Sequence, residues 1–320
     1  VFMQNQRIVS DCDPGPDDAV ALSLLKAVRP ESMTVITSYG CGSIEHSTRN
    51  AAGFLDALKL PSPHQLIRGA AGPLHVHPHR GANLPTFFGA NGFNNVELEP
   101  TGRVVLQDPT RDLYAALQPG GIHYCLTGPC TNLARLIQAD PEYVQSKIER
   151  LYVMGGVLRG QGNEGPEGDK YAEFNFYLDA KAARIVLGAG IPTSLVTWEA
   201  AQSFLLPRST IEGLNPKTAS AEILVDTMRS FFKLYMNDNH QDATSEPSLI
   251  LSDGIVTLDL MDAGLTNREP ITVNLHADQQ NYGRLVEDLS GKGFLIDYVT
   301  LKTPSKAVSY LVEHLNAGRE

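Results

Sequence analysis

Asp11, Asp13, Asp17 and Asp18 place four carboxylates within eight residues, Asp11-Cys12-Asp13-Pro14-Gly15-Pro16-Asp17-Asp18. Like charge at that density needs a counter-charge. Asp11 and Asp13 are two apart at the end of an extended run, so their side chains share one face of a strand. Pro14 and Gly15 turn the chain, and Asp17 and Asp18 fall in the first turn of a helix. Carboxylates there offset the helix macrodipole. Capping accounts for one of Asp17 and Asp18, but not for Asp13 or for four acids together. An oxygen-ligated hard cation, Ca2+ or Mg2+, accounts for the whole set. Such a cation lowers the pKa of bound water, and a neighbouring carboxylate can then remove the proton.

Other clusters carry less. His75, His77 and His79 alternate in a zinc-like spacing, but proline-broken alternation in a loop reads as a solvated turn. Cys12, Cys41, Cys125 and Cys130 show no Cys-x-x-Cys spacing and read as buried thiols of a reducing compartment.

The elements that must position the acids follow from apolar periodicity. Arg7–Asp11 reads as a strand and Asp17–Val28 as a helix with apolar spacings of three and four. Strand and helix patterns then alternate to about Trp198, interrupted by a long loop from about Ala71 to Pro100. This rhythm predicts an α/β fold with an open, mostly parallel sheet and helices on both faces, a Rossmann-like core. A long helix over Ala219–Asn237, three further strands and a C-terminal helix near Ser305–Leu315 complete the pattern. With no internal repeat and no clear linker, residues 1–320 read as one domain. In open α/β sheets the ligand crevice lies beyond the carboxyl ends of the strands. Five loops fall there, beginning at Asp11, Tyr39, Leu126, Val153 and Val196.

Composition narrows the partners. The 320 residues are 42% hydrophobic and 19% charged, which is the balance of a core-forming chain. A net charge of −10 argues against a general nucleic-acid binder. No 18-residue apolar run is present, so no membrane partner is expected. Val1–Arg7 is too short and polar for a signal peptide, which leaves a cytoplasmic location as the default.

The stretch from Asp11 to Leu22 strongly resembles the N-terminal signature of the inosine–uridine-type nucleoside hydrolases. The resemblance continues in order through Ser47–Leu55, Leu126–Ala134, Val153–Gly156 and Ala172–Ala183. It implies the nucleoside hydrolase fold, a Ca2+ cofactor, a ribonucleoside substrate and a homodimer or homotetramer. It further implies that Asp13 is both a metal ligand and the base that activates water. Asp18, the Thr127 carbonyl and Asp253 would complete the protein ligands. Asp17, Asn163, Glu173 and Asn175 would hold the sugar hydroxyls, with Met154 lining the site. These residue types suit cleavage of an N-glycosidic bond, which builds oxocarbenium character on the ribose.

Three positions depart from the family pattern. Ser252 stands where a histidine usually protonates the leaving base, Phe88 where a second histidine is usual, and Cys41 where an asparagine is usual. His240, in a polar loop, is the substitute acid. Phe88, Trp198 and Tyr235 are the aromatic alternatives that would stack on a purine. The expected activity is therefore hydrolysis of ribonucleosides to base and ribose with a purine preference. The rivals are a non-catalytic nucleoside-binding protein and a Mg2+-dependent phosphatase with Asp11 as nucleophile.

Overall fold

The computed structural model describes residues 6–60, 65–79, 88–99, 102–166, 169–237, 246–262 and 264–317, with 235–237 described by backbone alone. Strand β1 (Arg7–Cys12) leads into helix α1 (Pro16–Ala27), then β2 (Ser32–Thr37), α2 (Ile44–Ala57), β3 (Gln65–Arg68) and β4 (Val105–Leu106). The chain continues through α3 (Pro109–Leu117), β5 (Ile122–Leu126), α4 (Thr131–Ala139), α5 (Pro141–Lys147) and β6 (Ile148–Met154). Helices α6 (Phe174–Leu178) and α7 (Ala180–Leu187) precede β7 (Thr193–Val196). Beyond it come α8 (Trp198–Ala201), β8 (Leu205–Pro207), α9 (Arg208–Glu212), α10 (Ala219–Asn237), β9 (Ser248–Ile250) and α11 (Ser252–Leu260). The chain closes with β10 (Thr266–Leu275), β11 (Leu285–Glu287), β12 (Phe294–Leu301) and α12 (Pro304–Asn316).

Ten strands form one sheet in the order β11-β10-β12-β7-β6-β5-β1-β2-β3-β4. Every pairing from β12 to β4 is parallel, and only β10 runs antiparallel to its neighbours β11 and β12. β8 and β9 pair separately as a two-stranded ribbon.

Strand β1 shows why helices cover both faces. All its residues but Arg7 are buried, as a strand covered on both sides requires. Ile8 and Cys12 join a core with α1, α2, α10, α11 and α12. Val9 points the other way, into a core with α3, α4, α5 and α7. In α1 the fully buried Leu22, Leu24 and Leu25 each contribute about 1.5–3 kcal/mol of burial.

The chain leaves β1 toward β2, β3 and β4, and returns on the other side through β5, β6 and β7. Strand order therefore reverses between β1 and β5, and a crevice opens beyond their carboxyl ends at that point. The two strands stay joined past their last residues: the Thr127 and Gly128 amides donate to the Asp11 carbonyl at 2.8 and 3.4 Å.

Local details differ from the sequence reading. Glu173 and Asn175, whose spacing of two suits a strand, start a helix: the Glu173 side chain caps α6, and Asn175 lies within it. Trp198, where the alternating pattern ended, opens α8, and Asp253 is the second residue of α11. The short β4, β8 and β9 and the helices α5 and α9 carry too few residues to show a period. Among the described residues no helix is long and apolar enough to cross a membrane.

Candidate active site

The floor of the crevice is built from residues at strand ends. Asp11, on β1, does not reach it. Its Oδ2 accepts from the Tyr124 hydroxyl at 2.8 Å and its Oδ1 from the Asn132 amide at 2.8 Å, and it is fully buried. Asn132, at the start of α4, ties Asp11 to the Thr37 carbonyl and the Ala70 amide. Asp11 is thus an internal brace between strands. This removes the phosphatase reading, in which Asp11 would attack a substrate.

Asp13, two residues on, faces the cavity. Its Oδ2 accepts from the Cys41 main-chain N–H at 2.7 Å. Gly40, at φ 156°, makes that approach possible, because a Cβ there would stand 1.8 Å from the same oxygen. Gly128 packs on the opposite oxygen, where a Cβ would come within 2.9 Å of Oδ1.

Asp18 starts α1 and serves two neighbours at once. Its Oδ2 accepts from the Gly15 amide at 2.9 Å and its Oδ1 from the Thr127 hydroxyl at 2.6 Å. Asp17 accepts from the Ser252 hydroxyl at 2.6 Å, so the residue in the usual histidine position holds an acid. Oxygens of Asp17, Asp18 and Asp253 lie within 4.8 Å of one another. Asp13, Asp18 and the Cys41 sulfur form a second such group, which makes Asp18 common to both.

The described residues compensate these carboxylates only with neutral hydrogen-bond donors. No described lysine, arginine or histidine forms an ion pair with any of them. Burial, then the Asp18 charge, pushes Asp13 well above the usual carboxylate range. Burial and the Asp17 charge push Asp18 up to about 8. Asp253 is raised by burial and then by Asp17, and Asp17 by burial. Several carboxylates and one carbonyl, all hard oxygen donors without a partner cation, fit Ca2+ well.

Next to these acids the lining continues with Asn175, Glu173 and Asn163. Asn175 donates to the Thr127 carbonyl at 2.7 Å and lies against the Met154 sulfur at 3.6 Å. Its Oδ1 is buried and has no partner among the described residues. The Glu173 carboxylate accepts the amides of Asn175, Gly156 and Phe176 at 2.8, 2.8 and 3.2 Å. Burial still pushes it up to about 7. Asn163 uses its Oδ1 on the Phe174 amide at 2.9 Å, which leaves its NH2 for the cavity.

The remaining wall is apolar. Phe88 and Trp198 line it, joined by Phe231 from α10 and by Leu249 and Ile250 from β9. The rings of Phe88 and Phe231 are 6.4 Å apart at a 42° tilt. The cavity holds about 490 Å3, the size of a small polar molecule. His240 and the Tyr235 side chain lie outside the described residues. Sequence reasoning missed Phe231, β9, Glu164 and Lys170, which also reach the cavity. Phe231 stands one helical turn before Tyr235, so the aromatic repeat in α10 was the available signal.

His75 and His79 are exposed, as a solvated turn requires, but His77 between them is not. His77 is 4% exposed, and its Nε2 meets the Tyr177 carbonyl at 2.6 Å while its Nδ1 accepts from the His79 amide. Tyr177 and Tyr282 pack edge-on against it at 4.7 and 4.9 Å. With both ring nitrogens engaged by the protein, His77 has no lone pair left for zinc.

A sequence model of the family described as inosine-uridine preferring nucleoside hydrolase matches residues 8–318. The pyrimidine-specific ribonucleoside hydrolase RihA of Salmonella agona strain SL483 is 31% identical over 240 residues, covering 72% of this chain and 72% of that protein. Among solved structures, the purine-preferring ribonucleoside hydrolase from Gardnerella vaginalis superposes with a TM-score of 0.81 at 21% identity, covering 97% of this chain and 98% of that one. An inosine-uridine preferring nucleoside hydrolase from Bacillus anthracis gives a TM-score of 0.72 at 22% identity, covering 98% of this chain and 100% of that one. These two likenesses establish the nucleoside hydrolase fold.

Proposed function

Because the chain belongs to the inosine-uridine preferring nucleoside hydrolase family, we propose that it hydrolyses the N-glycosidic bond of ribonucleosides to free base and ribose. The observation that carries this reading is one cavity with three unlike walls. Among the described residues the acid floor has no cationic partner and the buried Asn175 Oδ1 no hydrogen-bond partner, and aromatic side chains line the same cavity.

Asp13, Asp18, Asp253 and the Thr127 carbonyl would hold Ca2+. When bound, the cation supplies Lewis acidity that lowers the pKa of water and an anchor for sugar hydroxyls. Asp13 takes the proton of the attacking water as its oxygen bonds to the anomeric carbon. The carbon–nitrogen bond breaks, and its electron pair leaves with the base. Asn175 Oδ1 accepts from one ribose hydroxyl, and Asn163 donates to another through its free amide. Glu173 takes a further hydroxyl on a lone pair that its amide donors leave open. Asp17, steadied by Ser252, faces the same ring. The carboxylates around the ribose favour the positive charge that develops there.

The aromatic wall supports a purine preference. Phe88, Phe231 and Trp198 offer stacking area, and a bicyclic base covers more of it than a monocyclic one. A purine also accepts a proton at N7, from solvent or from His240, which eases its departure. The named relatives include both pyrimidine-specific and purine-preferring enzymes, so the preference rests on this wall. A reducing-sugar assay with inosine, guanosine and uridine tests the reading. Release of ribose from none of them, with nucleoside still bound, would leave a non-catalytic binding protein.

A further inference from the structure

The four cysteines divide by surroundings. Cys12, Cys125 and Cys130 pack within the two hydrophobic cores, whereas Cys41 belongs to neither and lines the cavity. It sits between Gly40 and Gly42 in the loop that joins β2 to α2. Its main-chain N–H holds Asp13 Oδ2 at 2.7 Å. Its sulfur lies within 4.8 Å of oxygens of Asp13 and Asp18. One residue therefore meets the Asp13 carboxylate with both its backbone and its side chain.

The thiol has little room to turn away. A Cβ on Gly15 would come within 3.0 Å of the Cys41 sulfur. On the other side Gly92, at φ 72°, packs so closely that a Cβ there would reach 2.8 Å from the Cys41 carbonyl. Asn50 braces the same surroundings by donating to the Asn91 carbonyl at 2.9 Å and the Pro14 carbonyl at 3.5 Å. The loop is braced from three sides, and the sulfur is held beside the acid.

We propose that Cys41 is a positioning residue for Asp13, its thiol fixing the rotation of the carboxylate so that one defined oxygen receives the water proton. The inference rests on the assignment of Asp13 as the base. A free thiol is a weak donor with a bulky, polarizable sulfur, and here it serves both as a wedge and as a donor. A hydroxyl of similar shape keeps the donor, while a methyl group removes both functions.

The test compares Cys41→Ala and Cys41→Ser with the wild-type chain for kcat, KM, melting temperature and Ca2+ affinity by calorimetry. The main-chain N–H survives in both variants, so the comparison isolates the side chain. Cys41→Ala should lower kcat about 10- to 100-fold, the scale of a misplaced catalytic group. KM and Ca2+ affinity should hold within about twofold, the melting temperature should stay at the wild-type value, and Cys41→Ser should recover most of the lost kcat. Wild-type kcat in Cys41→Ala, equal losses in both variants, or a loss of Ca2+ affinity matching the loss of rate would overturn the proposal. A wild-type chain that releases ribose from no nucleoside removes the functional reading and this proposal with it. An active wild type with an unaffected Cys41→Ala variant removes this proposal alone.

Discussion

Asn175 reaches the main-chain carbonyl of Thr127 at 2.7 Å, while its own Oδ1, equally buried, meets no described residue. One side chain thus ties a proposed metal-ligand carbonyl to the place where a ribose hydroxyl would sit. A buried acceptor left unpaired costs about 1–3 kcal/mol, and a substrate hydroxyl would return that energy. Asn175→Ala should accordingly lower kcat/KM for ribonucleosides about 10- to 100-fold. Steady-state kinetics with inosine, beside a thermal melt, checks this. A variant as efficient as the wild type would show that Oδ1 faces no substrate.

Asp13→Asn keeps the shape of the side chain and an oxygen for the Cys41 amide, but removes the base. Turnover should fall by at least the 10²–10⁴ of general base catalysis, with the fold retained. Circular dichroism and a ribose-release assay measure the two effects together. Turnover within tenfold of the wild type would show that another group takes the proton.

The acid floor makes stability depend on cation and pH jointly. In metal-stripped protein Asp18 is pushed up to about 8, and Asp13 and Asp253 well above the usual range. An unfolded aspartate titrates near 4. A carboxyl whose folded pKa is raised lends stability that is complete below the unfolded value and is lost as pH rises toward the folded one. The melting temperature of chelated protein should therefore fall between about pH 5 and pH 8. Saturating Ca2+ should raise it by more at pH 8 than at pH 6, and should restore activity. Full activity after exhaustive chelation, with no metal by elemental analysis, would exclude the cation.

Phe231→Ala should distinguish the bases. Removing one face of the aromatic wall should raise KM for inosine about three- to tenfold, and for uridine less, in line with the 0.5–1.5 kcal/mol of an aromatic contact. Uridine cleaved faster than every purine nucleoside by the wild type would defeat the preference.

If His240 protonates the leaving base, His240→Ala should cut inosine turnover by about 10²–10⁴. It should leave p-nitrophenyl riboside, whose leaving group needs no proton, nearly untouched. Equal losses on both substrates would mean that His240 acts on structure rather than on the base.

The parts of this site that could be read from sequence are those whose chemistry is local. Asp13, Asp17 and Asp18 stand within a few residues of one another, and the β-α rhythm places their loop at a strand end. The division of labour between Asp11 and Asp13 was hidden, since it depends on Tyr124 and Asn132 arriving from β5 and α4. Phe231 was visible only as one member of the aromatic repeat with Tyr235. In α10 nearly every turn carries an apolar residue, and only packing decides which one faces the cavity. Glu173 and Asn175 showed a strand-like period of two, yet the carboxylate caps a helix by accepting its first amides. His77 read as polar loop because its stacking partners, Tyr177 and Tyr282, lie 100 or more residues away.

The glycines that flank Asp13 carry a consequence for how this sequence tolerates change. A Cβ at Gly40 would stand 1.8 Å from one Asp13 oxygen, and one at Gly128 would stand 2.9 Å from the other. Neither residue has a side chain with which to touch a nucleoside. In a saturation library scored by growth or turnover, both positions would nevertheless behave as if they were reactive, rejecting even alanine. A map of functional intolerance would thus outline the Asp13 carboxylate from outside, as a mould records the shape cast in it.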